Sequence, residues 1–197
     1  LYGALTRTAC LNQQPRFLSG SAACYRLRAT SPCVDQGDNQ DWMAAATDLD
    51  GNPRMLGLAV DMGCYESLPA ALDTDADGLP DWWELAFAGH ATALLPSEDS
   101  DHDGFSNELE YEADTDPFDT ESRLAIDALS TTGGVCQLVW RGGQDVCQYV
   151  ESSTNLLTGV WTAILTNQPP TETHETAELP LPDSSAPLIF LRIRCQR

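Results

Sequence analysis

Residues 73–84 read DTDADGLPDWWE, and residues 99–110 read DSDHDGFSNELE. Each twelve-residue block places an oxygen-bearing side chain at positions 1, 3, 5, 9 and 12, and glycine at position 6. A hard cation such as Ca²⁺ takes about six to eight oxygen ligands, and this spacing lets a short loop wrap around one. The first loop offers Asp73, Asp75, Asp77, the Leu79 carbonyl, Asp81 and a bidentate Glu84. The second offers Asp99, Asp101, Asp103, the Phe105 carbonyl, Asn107 and Glu110. Gly78 and Gly104 fall where the backbone must turn sharply, which glycine does at least steric cost. The bland alternative is a solvated acidic linker, the usual meaning of a charge run. A linker has no reason to repeat both glycines and both glutamates in register. The reading is therefore two Ca²⁺ ions, acting as folding staples rather than as a sensor.

The charge distribution agrees. Of the net −20, residues 68–121 hold sixteen acids and no base, whereas 1–67 and 122–197 each carry only −2. Nine of those sixteen carboxylates are the proposed ligands, so without a cation the segment repels itself. Such acidity argues against nucleic acid as a partner, because no basic patch tracks phosphates. A hydrophobic fraction of 42% is that of a globular chain. No run approaches the roughly 20 apolar residues of a membrane span.

Around the loops, helix signals follow but do not precede. Pro80 suits a helix start, Trp83, Ala86 and Phe87 share one face, and Gly89 ends it. Ser106 is a good N-cap for a helix over Asn107–Ala113, with Phe105, Leu109 and Ala113 as its apolar stripe. SLPAA and LLPSE, ahead of the loops, are not helical, which disfavours a full EF-hand. Trp82 and Trp83 read as core before they read as a sugar platform. His90, His102 and His174 have no catalytic companion.

The loop-then-helix pairs resemble dockerin modules and thrombospondin type 3-like Ca²⁺ repeats over about residues 73–118. Asp114 and Asp116 trail the second loop and stand as further possible ligands. Upstream, YRLRATSPCVDQGD (25–38) and TDLDGNPRMLGLAVDMGCYES (47–67) resemble the closing rungs of bacterial pectate-lyase-like parallel β-helix proteins. This resemblance spans about residues 15–66 and brings no catalytic residue. It implies a Cys33–Cys64 bridge between adjacent rungs, and leaves Cys10–Cys24 as the accompanying pair. DLDG (48–51) lacks the later ligands of a Ca²⁺ loop and reads as a turn into Pro53.

Residues 122–197 change character. VCQLVW, RGGQ and DVCQYVES read as a β-hairpin across a glycine turn, VWTAIL and PLIFLRIRC as further strands, and Gln168–Asp183 as loop with room for one strand. Several short strands suggest an antiparallel sandwich. The pattern resembles a C-terminal β-sandwich module of large secreted bacterial proteins. Alternation puts Cys136, Leu138 and Trp140 on one face, and Ile189, Leu191, Ile193 and Cys195 on another. That favours Cys136–Cys195 with Cys147 left over; Cys136–Cys147 across the hairpin is the rival.

The fold class expected is mainly β: β-helix-like terminal rungs (1–67), a double calcium loop-helix module (68–121) and a β-sandwich (122–197). No nucleophile elbow, triad or phosphate loop is present, and the carboxylates sit on ligand spacing. The expected function is a non-catalytic, calcium-stabilised extracellular surface or assembly protein. The alternatives are a glycan-binding tail of a polysaccharide-degrading β-helix enzyme, or a subunit of an extracellular filament. Seven cysteines and Ca²⁺ loops fit an oxidising compartment, and a start at Leu1 fits a processed secreted chain. Partners would be copies of itself, neighbouring surface subunits or extracellular glycan.

Overall fold

A computed structural model describes residues 11–18, 25–132, 135–180 and 188–197. Among these residues the protein is mainly β, with two antiparallel three-stranded sheets and two α-helices. It divides into two compact units, Leu1–Leu94 and Leu95–Arg197. The break falls inside the stretch read as one calcium module, so each loop belongs to a different unit.

The first unit contains α1 (Asp81–Ala88) and no strand among its described residues. Its strand-like runs make only two isolated bridges, Phe17 with Leu27 and Thr47 with Pro53, both antiparallel. No β-helix rung is present there. Buried acids hold the turns instead. Asp48 accepts from the backbone N–H groups of Asp50, Asn52 and Glu66, which fixes DLDG as the expected turn. Asp61 accepts from the N–H of Asp35 and of Ser67. Side chains that satisfy backbone donors this way compete with a strand ladder. α1 keeps its expected limits, with Pro80 at the N-cap and Gly89 left-handed at the C-cap. Trp83, Ala86 and Phe87 are buried, and the Trp83 and Phe87 rings lie 5.2 Å apart. Trp82 lines a cavity of about 50 Å³ together with Arg26, Tyr65 and Asp50.

The second unit contains α2 (Asn107–Ala113), β1 (Ala125–Thr132), β2 (Val135–Arg141), β3 (Cys147–Ser153), β4 (Thr162–Asn167), β5 (His174–Pro180) and β6 (Phe190–Gln196). One sheet has the order β1-β2-β5, and the other β4-β3-β6. Cys136, Leu138 and Trp140 from β2, Val150 from β3 and Leu179 from β5 form the core, with Leu191 and Ile193 of β6 against it. The alternation read from β2 and β6 is thus the one that faces inward.

The expected β2–β3 hairpin does not form. Both strands are sheet centres, and the link Gly142–Gly143 passes from one sheet to the other. The glycines serve close approach rather than a tight turn. A Cβ on Gly143 would lie 2.2 Å from the Ala113 carbonyl oxygen, and Gly143 donates its N–H to that oxygen at 3.1 Å. Beneath the link, Gln148 accepts from the Trp140 indole at 2.7 Å and donates to the Gly143 carbonyl at 2.8 Å.

The cysteine pairings change too. Cys33, Cys64, Cys136, Cys147 and Cys195 are free thiols. Cys33 meets Met62, whose N–H reaches its carbonyl at 3.0 Å, so the neighbouring run is offset from Cys64. Cys136 and Cys195 stay unbonded, Cys195 lying opposite Gln148 of β3 beside Cys147, and with no hairpin Cys136 does not pair across to Cys147 either. The Cys10–Cys24 expectation lies outside the described residues. No helix among them is long and apolar enough to cross a membrane.

Candidate metal centre

Both loops fold the same way, one in each unit. Position 4 is left-handed in each (Ala76 φ 58°, His102 φ 67°), and so is the glycine at position 6 (φ 102° and 100°). Glycine alone takes that second conformation without strain. The first aspartate closes each ring: Asp73 accepts from the Gly78 N–H and Asp99 from the Gly104 N–H, both at 3.0 Å. The aspartate at position 5 accepts from the N–H two residues on, Asp77 from Leu79 at 2.8 Å and Asp103 from Phe105 at 2.9 Å.

These bonds use one oxygen of Asp73, Asp77 and Asp103 and leave the other over, whereas Asp99 accepts with both, its Oδ1 taking the His102 and Asp103 N–H groups. Asp73, Asp75 and Asp77 bring one oxygen each within 4.8 Å of one another, and so do Asp99, Asp101 and Asp103. The glutamates at position 12 stand on the helices outside these trios but near enough that Asp75 and Asp77 act on Glu84, and Asp101 and Asp103 on Glu110. Glu84 is fully buried; its Oε1 accepts from the Leu94 N–H at 2.9 Å, while its Oε2 has no partner. Glu110 is 1% exposed, and its Oε2 has no partner either. Asp73 Oδ1, Asp77 Oδ2, Asp101 Oδ2 and Asp103 Oδ2 are likewise buried and without a hydrogen bond. Every unsatisfied buried carboxylate oxygen among the described residues therefore sits at position 1, 3, 5 or 12 of one of the two loops. Such groups are costly to bury and demand an account. A hard dication would supply it.

The electrostatics point the same way. Burial, and then Asp101, Asp103 and Asp116, push Glu110 up to about 8. Burial raises Glu84 as well, with Asp75 and Asp77 adding to it. Asp101 is raised first by burial and then by Asp103 and Asp99. Carboxyls that resist ionising together are what a cation would relieve. Arg123 is the one base paired with this acid cluster among the described residues, at 3.9 Å from Asp103.

Position 9 differs from expectation. Asp81 accepts from the Thr74 N–H at 2.7 Å and from the Thr74 hydroxyl at 2.6 Å. Asn107 accepts from the Ser100 hydroxyl at 2.8 Å and donates to the Leu95 carbonyl at 2.8 Å. Their side chains tie the loop to its own second residue rather than completing the ligand ring. The hydroxyls at position 2, Thr74 and Ser100, thus brace the loops in a way that ligand spacing does not reveal. Their signal is a hydroxyl at position 2 facing Asp or Asn at position 9 in both loops. Of the trailing acids, Asp114 is engaged by Arg197 at 2.7 Å and by the Gln144 and Asp145 N–H groups. Asp116 is buried and close enough to raise Glu110, which leaves it as the further ligand candidate.

No protein-family model matches the chain, and no curated protein or solved structure matches it.

Proposed function

We propose that the chain is a non-catalytic, extracellular structural protein in which each loop holds one Ca²⁺ and thereby completes the fold of its own unit. The ligands are Asp73, Asp75, Asp77 and Glu84 in one site, and Asp99, Asp101, Asp103 and Glu110 in the other, with the Leu79 and Phe105 carbonyls at position 7. The observation that carries this reading is the set of six orphaned carboxylate oxygens, three per loop, at positions 1, 5 and 12 of the first and 3, 5 and 12 of the second. Binding free energy of an ion that only the folded loop can ligate becomes folding free energy. The extracellular setting rests on the likeness of the loop-then-helix pairs to Ca²⁺ repeats of bacterial surface proteins; cysteine pairing lends it nothing, since the five described thiols are free. The inward faces shared by both sheets support a sandwich for the second unit. The test is thermal unfolding and calorimetric titration of the chain stripped with EGTA. The expected outcome is two bound Ca²⁺ and a rise in Tm with about millimolar Ca²⁺. An unshifted Tm with no heat of binding would overturn it.

A further inference from the structure

The first unit holds a cavity of about 50 Å³ that none of the proposed Ca²⁺ ligands lines. A water needs roughly 10–15 Å³ on this measure, so the space takes about four waters, or a group of about four heavy atoms. Leu27 and Leu68 give it an apolar wall, Trp82 an aromatic one, and Arg26, Asp50 and Glu66 a polar side. Ala70, also on the wall, is exposed and marks the mouth.

The polar side is nearly balanced in charge. The two terminal nitrogens of Arg26 are taken by Asp50, one of them at 2.7 Å. Glu66 is paired with Arg54 at 3.0 Å. What is left over is a donor: Arg26 Nε is buried and has no hydrogen-bond partner. The guanidinium is fixed in place over the Tyr65 ring, 4.1 Å from its centre. A buried donor without an acceptor is costly. A carboxylate here would meet Asp50 and Glu66, and an ammonium would meet Arg26, so the group that fits is uncharged.

We propose that this cavity binds the acetamido group of an N-acetylated sugar. That group is uncharged, planar and of the size the space takes. Its carbonyl oxygen accepts from Arg26 Nε, its N–H donates to Asp50 or Glu66, and its methyl lies against Leu27 and Leu68. Trp82 gives the sugar ring an apolar face to rest on. Apolar walls with a few convergent polar groups are how small-molecule sites fix orientation. The assignment does not draw on the ions, so it and the calcium reading fail separately.

The test is titration of the isotope-labelled full chain, in Ca²⁺ buffer, with N-acetylglucosamine, followed by the Arg26 Nε–H and Trp82 indole NMR signals. The titration runs to about 50 mM, because so small a group supplies only a few kcal/mol. Both signals are expected to shift and saturate, and glucose, which lacks the acetamido group, is expected to leave them in place. Arg26→Lys keeps a cation beside Asp50 but removes Nε, and is expected to weaken binding about tenfold or more, read at Trp82. Ala70→Tyr, at the exposed mouth, is expected to do the same with Tm unchanged and guards against misfolding of the first variant. Signals that stay in place throughout the titration overturn the proposal. So does glucose or an acetylated lysine that acts as well as N-acetylglucosamine, or an Ala70→Tyr protein that binds undiminished.

Discussion

Glu110→Gln should change the stability of the second unit in opposite directions with and without Ca²⁺. In the metal-free fold this carboxyl has its pKa pushed up to about 8 from 4.5, by burial and then by Asp101, Asp103 and Asp116. A raised carboxyl stabilises the fold while protonated. That contribution is full below about pH 4.5 and is lost as pH rises toward 8. At about 1.4 kcal/mol per pH unit, the loss by pH 7 is up to about 3 kcal/mol, and screening by water at the cluster edge reduces it to about 2 kcal/mol. Glutamine cannot ionise and escapes the loss. In EGTA at pH 7 the variant should therefore melt about 8 °C higher than wild type, for a unit of this size, with the gap closing at pH 5. In Ca²⁺ the order should invert, because the variant has lost a charged ligand. A hundredfold weaker site forfeits about 2.7 kcal/mol of ion-linked stability. Differential scanning calorimetry at pH 5, 7 and 8, in EGTA and in about 2 mM Ca²⁺, reads both signs. A variant destabilised in EGTA at pH 7, or an EGTA gap flat from pH 5 to pH 8, refutes the reasoning.

Thr74→Val removes the hydroxyl that Asp81 holds at 2.6 Å and leaves a buried acceptor unmet. It should cost the first unit about 1–3 kcal/mol and weaken only one of two Ca²⁺ sites, seen by calorimetric titration; equal weakening of both sites counts against the position-2 role. Gly143→Ala drives a Cβ to 2.2 Å from the Ala113 carbonyl oxygen and 2.4 Å from the Asp114 Cβ. It should destabilise the second unit by about 2–4 kcal/mol, whereas Gly159→Ala, left-handed but with nothing within 4 Å, should cost only about 1 kcal/mol; equal costs in thermal melts would show that close approach is not what Gly143 provides.

What the sequence made legible was local. The loop positions, the left-handed glycines, Pro80 and Gly89 around α1, and Ser106 before α2 each follow from the chemistry of one residue and its near neighbours. Inward alternation in β2 and β6 was readable for the same reason. Strand partnership was not. RGGQ looks like a hairpin turn, yet Gly142 and Gly143 are glycine because Leu124, Ala113 and Asp114 press on them from far along the chain. β1, exposed along nearly all its length, shows no apolar alternation to read, and β5 hides in a stretch rich in Thr and Glu. In residues 25–67 the strand-like runs lost to buried acids such as Asp48 and Asp61, which offer the backbone donors an alternative to a ladder. Spacing also could not say that Asp81 and Asn107 would be claimed by hydroxyls seven residues upstream.

α2 shows where the proposed metal would matter most. The expected apolar stripe through Leu109 would have made an ordinary amphipathic helix, but Leu109 is 48% exposed, and the buried positions are Asn107, Glu110 and Ala113. A helix of seven residues is too short to stand by propensity, and one that turns two polar side chains inward gains little from apolar burial. α1 is in a different position: it buries Trp83, Ala86 and Phe87 alongside Asp81 and Glu84. The far end of α2 is tied down by Gly143 on the Ala113 carbonyl and by Arg197 on the Tyr111 carbonyl at 2.8 Å. Its first turn has the Ser106 cap, the Asn107 N–H on the Glu98 carbonyl at 2.7 Å, the Glu108 N–H on the Pro96 carbonyl at 3.0 Å, the Asn107 side-chain bonds to Ser100 and Leu95, and the carboxylate cluster. On the proposed reading, a cation at Glu110 would relieve the repulsion in that cluster and add to those bonds, and the first unit, with an aromatic core under its helix, would depend on its ion less.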